Sequence, residues 1–167
     1  MLAFRLIGLA AVIYGGYVLI QSSARSAKSQ EYAGMAPADA ATDVVARTIW
    51  GEARGEGAEG MQAVANVIVN RANRPGWWGT DFVSVCQKDG QFTCWNTGDP
   101  NLIKLLAVDA SDPAFAAALE IATAAVSGDL PDITGGATNY FNPRVVLPSW
   151  AAAMTETAVI GNHAFFA

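Results

Sequence analysis

The chain has 167 residues, 52% hydrophobic and 15% charged, with 10 Lys+Arg against 15 Asp+Glu and a net charge of −5. That balance suits one domain with a packed core and excludes a largely disordered chain. It also offers no broad positive field for phosphates, so nucleic acid is not an expected partner. A single His leaves little room for catalytic zinc, and no metal or cofactor is expected.

The first element is apolar. Leu6 to Ile20 carries no charge, and only Arg5 precedes it. Its 15 residues make roughly 22 Å of helix, short for a hydrocarbon core of about 30 Å unless Arg5 snorkels and residues 1–4 are included. Residues 1–21 therefore read as a membrane anchor or as a signal peptide, with small residues at Ser22, Ser23 and Ala24 and basic Arg25 and Lys28 beyond. The Ser-, Ala-, Lys- and Gln-rich stretch 22–40 reads as a flexible linker, and 41–167 as a catalytic domain. This order places the domain outside the cytoplasm, either tethered facing the periplasm and wall or exported after cleavage.

Within the domain, Val44 to Trp50 is expected to be helical with Thr42 or Asp43 as N-cap, stopping near Gly51 to Gly57. A second helix is expected from about Ala58 to Asn73, where Met61, Val64, Ala65, Ile68 and Val69 recur at helical spacing before Pro75-Gly76. Asp81 to Cys86 reads as a helical turn and Asp89 to Trp95 as a short hairpin. Asp112-Pro113 open an Ala-rich helix that ends before Gly128. Thr138 to Asn142 is a short extended run, and the alternating tail from Val159 to Phe166 pairs as a strand. Cys86 and Cys94 flank the Asp89-Gly90 turn, and in an oxidising compartment a disulfide between them would stabilise the fold by roughly 2–3 kcal/mol. The fold expected is mainly α (α+β), with no βα alternation that would signal a parallel sheet.

The chemistry concentrates in Trp50-Gly51-Glu52-Ala53-Arg54-Gly55-Glu56-Gly57-Ala58-Glu59. A carboxyl group at the end of a buried helix beside a Trp keeps its proton to higher pH than one in water, as a general acid for glycosidic cleavage requires. Glu52 is best placed for that; on spacing alone, Glu52, Glu56 and Glu59 also suit solvated helix-end charges paired with Arg47 or Arg54.

These residues carry a resemblance. Ala46 to Glu56 and Gly60 to Arg71 resemble the opening signature of the SleB/CwlJ cell-wall hydrolases, the spore-cortex-lytic type. Gln91-Phe92-Thr93-Cys94-Trp95, Gly135 to Pro143 and Ile160 to Phe165 follow in the family's order. The resemblance covers roughly residues 44–167 and implies a lysozyme-like helical domain with a small β-hairpin, acting on peptidoglycan glycan strands. It places the catalytic acid at Glu52. One carboxyl can then suffice, first protonating the leaving oxygen and then, as base, helping the muramoyl 6-hydroxyl attack the anomeric carbon. A hydrolytic lysozyme wants a second carboxylate across the sugar, for which Glu56 and Glu59 are the local candidates.

A sugar cleft needs flat apolar faces and hydrogen-bonding side chains. Phe92, Trp95, Tyr140 and Phe141 offer the first; Gln91, Asn139, Asn142 and Glu56 offer the second. Tyr140 is also expected to act on the oxocarbenium region or to orient Glu52. Phe92 and Phe141 serve equally well as core, and Asn66, Asn70 and Arg71 as ties between the second helix and its loops. Trp77-Trp78 read as a packing loop or an extension of the cleft. Two other readings stay open: an amidase of the stem peptide, with His163 and Cys86 or Cys94 as a catalytic pair, and a non-catalytic wall-binding protein. A short Gly/Ala-rich membrane segment on one small lytic domain also looks similar to the signal-arrest-release arrangement of some phage endolysins. A monomer is expected.

Overall fold

The computed structural model describes the backbone from residue 3 and the side chains from residue 15. Its first element, α1, spans Ala3–Ala33. Most of the expected membrane segment 1–21 lies outside the described side chains, and among the described residues no helix is long and apolar enough to cross a membrane.

The stretch expected to be a flexible linker is helical instead. Ala, Lys, Gln and Glu favour helix, so α1 continues through it, and its side chains dock on the domain. Gln21 is fully buried: its Nε2 donates to Asp99 O at 2.8 Å and its Oε1 accepts from Gly98 N at 2.7 Å. Tyr32 Oη donates to Asp43 at 2.7 Å. Together these contacts satisfy buried polar groups on both sides of the junction.

The second helix, α2, spans Pro37–Ala53, with Pro37 opening its first turn after Ala36. It begins earlier than the expected Thr42 or Asp43 cap, leaving Asp43 inside the helix, where it pairs with Arg47 one turn later at 2.7 Å. Arg47 is itself buried and donates to the carbonyls of Leu105 and Val108 at 2.6 and 3.0 Å, fastening the segment after α5 (Leu102–Ala107). Helix α2 is the axis of the molecule: Val44, Val45, Ala46 and Ile49 are fully buried, and α3 (Gly57–Ala72), α4 (Phe82–Gln87), α5 and α6 (Pro113–Ser127) all pack on it. Gly51 does not end the helix. Its value is close packing, since a Cβ there would lie 2.9 Å from Cys94 Sγ and from Leu105 Cδ1. The helix stops at Ala53, a single 3₁₀ turn covers Arg54–Glu56, and Gly57 at φ 72° redirects the chain into α3.

Helices α3, α4 and α6 arise where their sequence signals lie. Asp81 caps α4 by accepting from Ser84 N; Asp112 caps α6 by accepting from Ala114 N and Phe115 N at 2.9 and 3.0 Å. The expected hairpin over Asp89 to Trp95 does not form. A turn leads into a 3₁₀ turn at Thr93–Trp95, because Phe92, Cys94 and Trp95 are all buried, a pattern that one face of a strand cannot satisfy. Trp95 Nε1 donates to Thr48 Oγ1 at 2.9 Å, fixing this turn against α2.

The β structure is a three-stranded antiparallel sheet of order β1-β3-β2, formed by β1 (Asn139–Phe141), β2 (Glu156–Ile160) and β3 (His163–Phe166). The hairpin is β2–β3, closed by Gly161-Asn162, so the expected terminal strand is two strands. Phe165, opposite Tyr140 in the register, is fully buried with Ala63 and Val67 of α3, seating the sheet on that helix. Cys86 and Cys94 are both free and buried, which corrects the expected disulfide. Their side chains turn inward as small apolar groups, Cys94 against Gly51 of α2.

Candidate active site

Glu52 occupies the last turn of α2, and Tyr140 lies on β1, 88 residues later. The sheet, held on α3 by Phe165, brings them together, and Tyr140 Oη donates to Glu52 Oε2 at 3.1 Å. The phenol is framed on two sides by Phe165, stacked at 5.6 Å, and His163, edge-on at 5.3 Å. Burial, and then the Glu52 carboxylate, push the Tyr140 phenol well above the usual tyrosine range, so it keeps its proton and remains a donor.

Among the described residues Glu52 forms no ion pair, although the Arg71 guanidinium is near enough to interact with its charge. Arg47 is spent on Asp43, and Arg54 folds over the Trp50 ring at 4.4 Å while donating to the carbonyls of Trp50 and Gly51 at 3.3 and 3.1 Å. Cys94 is the thiol beside Glu52: burial, then the carboxylate, push it up, and burial pushes Cys86 up to about 12. Both thiols therefore stay protonated at neutral pH and are poor nucleophiles. His163 faces Tyr140, which disfavours a Cys–His amidase pair.

A cleft of about 320 Å³ adjoins Tyr140, lined by Arg71, Trp77, Gly90, Gln91, Asn139, Tyr140 and Trp150; Glu52 is linked to it through the Tyr140 hydroxyl. Of the expected sugar-facing residues, Gln91, Asn139 and Tyr140 line it. Phe92 and Trp95 do not: they are 1% and 2% exposed, packed in the main core, and cannot offer a face to a pyranose ring. Phe141 is also core, with Trp150 and Phe166. Asn142 accepts from Arg144 N at 2.9 Å and shapes the loop after β1. Glu56 accepts from Asn162 N at 3.0 Å and from Asn162 Nδ2 at 2.9 Å, tying the hairpin turn to the start of α3; these bonds hold its carboxyl below the usual range. It is a brace rather than a sugar ligand. Asn66 and Asn70 are ties as well, to Pro131 O and Ala137 O at 3.1 and 3.0 Å.

The cleft also contains aromatics outside the matched segments. Trp77 lines it, while its neighbour Trp78 packs on the core and donates to Arg71 O at 3.1 Å. Trp150 reaches it from the 3₁₀ turn Ser149–Ala153 and sits edge-on to Phe141 and Phe166. The Trp-Trp pair marked the first position in the sequence. Trp150 had only an isolated aromatic after Pro148-Ser149 to mark it.

The candidate site is thus a carboxyl group held by a phenol, next to an aromatic-lined cleft on a helical domain with a small sheet. The chain belongs to the cell wall hydrolase family, whose pattern it matches over residues 55–166, starting three residues after Glu52. It is 35% identical over 123 residues to a spore cortex-lytic enzyme of Halalkalibacterium halodurans, covering 73% of this chain and 33% of that one. It is 34% identical to a spore cortex-lytic enzyme of Oceanobacillus iheyensis, covering 73% and 40%. The chain thus spans a third to two-fifths of the length of these relatives. The fold is similar to the catalytic domain of the germination-specific lytic transglycosylase SleB from Bacillus anthracis, with a TM-score of 0.59, 27% identity, and 80% of this chain and 98% of that one covered. It is likewise similar to the catalytic domain of the Bacillus cereus SleB protein, with a TM-score of 0.60, 27% identity and coverage of 80% and 93%.

Proposed function

We propose that this chain cleaves the glycan strand of peptidoglycan as a lytic transglycosylase, with Glu52 as acid and then base. The observation that supports the reading is the half-buried Glu52, hydrogen-bonded by Tyr140, whose ring lines an aromatic cleft. Glu56 is engaged with Asn162, and Glu59 is exposed on the first turn of α3. Neither is placed as the second carboxylate that a hydrolytic mechanism uses.

In this mechanism protonated Glu52 gives its proton to the glycosidic oxygen as the bond from that oxygen to the anomeric carbon breaks. The resulting carboxylate stabilises the oxocarbenium ion and then accepts the proton of the muramoyl 6-hydroxyl as its oxygen bonds to the anomeric carbon. The product is a 1,6-anhydro sugar, no water is consumed, and Glu52 is again protonated. Tyr140 fixes the rotamer of the carboxyl group through both steps. Trp77 and Trp150 offer aromatic faces, while Gln91 and Asn139 supply donors and acceptors for ring substituents. Activity on peptidoglycan implies a site at or beyond the wall, with residues 1–21 as the tether or export signal.

The test uses the full chain, as wild type and Glu52→Gln, on purified peptidoglycan with products identified by mass spectrometry. Anhydro-muropeptides from the wild type and none from the variant are expected. Reducing-end products would assign hydrolysis instead, and free stem peptides or an active variant would overturn the reading.

A further inference from the structure

Arg71 is the charged residue of the cleft lining, and its hydrogen bonding is incomplete. Only 6% of the residue is exposed. Its Nε donates to Thr138 O at 2.7 Å, whereas Nη1 is buried with no acceptor among the described residues. The flat faces of the guanidinium are covered by aromatics, Phe92 at 5.3 Å and Trp78 at 6.0 Å, leaving the Nη edge for polar partners. A buried cation with an unfilled donor is costly, because water is withdrawn and nothing replaces it. A structural tie to the 137–139 loop needs only the Nε bond. Tyr140 and Glu52 lie near enough to interact with its charge, yet neither accepts from Nη1, so the donor is left for a ligand that reaches this wall of the cleft.

The remaining lining residues carry no charge at neutral pH: Trp77, Gly90, Gln91, Asn139, Tyr140 and Trp150. A desolvated guanidinium there selects an oxygen with high electron density, a carbonyl or carboxylate, over a hydroxyl. On the glycan of the proposed reaction such oxygens sit on the acyl substituents, the acetamido group at C2 and the lactyl group at C3. We propose that Arg71 is the receptor for an acyl oxygen on the sugar bound beside Glu52, with Gln91 and Asn139 flanking it. The inference rests on the glycan-cleaving reading but concerns recognition rather than the proton transfer. Arg71 would then distinguish an acylated sugar from a plain one with the same β-1,4 backbone.

Binding to the full-length Glu52→Gln protein separates the two acyl sources. Cellotetraose carries neither group, chitotetraose carries the acetamido group, and a muramoyl-containing tetrasaccharide carries both. Calorimetry is expected to show affinity rising about 10–100-fold at one of the two additions, the scale of a charge-assisted hydrogen bond. A rise at chitotetraose assigns the acetamido oxygen; a rise at the muramoyl sugar assigns the lactyl oxygen. Adding Arg71→Met should erase that step. Equal binding of the three sugars, or a step that survives Arg71→Met, overturns the proposal. Thermal melting checks the variant; if it fails to fold, Arg71→Gln removes the charge while keeping a polar head, and a step of undiminished size there overturns the proposal as well. Cleavage by the Glu52→Gln protein would sink the reaction reading and leave this pattern of binding to be read by itself.

Discussion

The end of α2 and the 3₁₀ turn after it carry two glutamates four residues apart, and the fold gives them opposite surroundings. Glu52 is half-buried, in no ion pair among the described residues, and touched by the Tyr140 phenol, whose ring lines the cleft. Glu56 is committed to the backbone and side chain of Asn162 in the hairpin turn. The first has a single phenol donor, the second a set of donors that hold it in its charged form. Position relative to the sheet makes this difference: β1 delivers Tyr140 to one carboxyl and the β2–β3 turn delivers Asn162 to the other.

The largest expected effect breaks the first member of the pair. Glu52→Gln should lower turnover on peptidoglycan by about 10²–10⁴-fold with the melting temperature close to wild type, because only the transferable proton is removed. Next comes the core turn that holds α2. Trp95→Ala should cost about 3–5 kcal/mol of stability in denaturant unfolding, since it opens a cavity and removes the donor to Thr48 Oγ1. A surface-exposed tryptophan on the sugar cleft would cost far less, so this measurement also tests the reassignment of Trp95 to the core.

Smaller effects sharpen the comparison. Tyr140→Phe keeps the stack on Phe165 and removes one hydrogen bond, so turnover should fall about tenfold, with little change in stability. Glu56→Gln should leave turnover within about threefold and cost a few tenths to 1 kcal/mol, discounted for solvent exposure. Its pH dependence has a definite sign. The folded-state carboxyl is held below its ordinary value of 4.5, so its stabilisation is present above that pH and is lost as the pH falls through the folded value. Unfolding of wild type and Glu56→Gln should therefore differ at neutral pH and converge at acid pH, whereas a variant affecting only packing would show a constant gap.

The helices around the site were legible because their signals are local. Asp112-Pro113 before an Ala-rich run, and Met61, Val64 and Ile68 at helical spacing, specify α6 and α3 without help from the rest of the chain. Glu52 was legible from its motif and from the Trp beside it. Phe92 and Trp95 misled because an aromatic ring has the same sequence signature whether it meets a sugar or a core; only packing against α2 decides. The two cysteines misled in the same way, since eight residues of separation permit a disulfide but say nothing about the direction of their side chains. Trp150 left only an isolated aromatic as its mark, and the unfilled donor of Arg71 left none.

By itself, the sequence determined helices α3, α4 and α6 and the family, and it singled out Glu52 as the candidate acid, because caps, periodicity and a contiguous motif are written within a few residues of one another. Tertiary structure alone decided that Tyr140 meets Glu52 across 88 positions, that Glu56 is a brace, that α1 runs on through the expected linker, and that Arg71 faces the cleft with a donor to spare. Those outcomes depend on which distant surfaces pack together and on which polar groups find partners when water is excluded, a balance no short window of sequence contains.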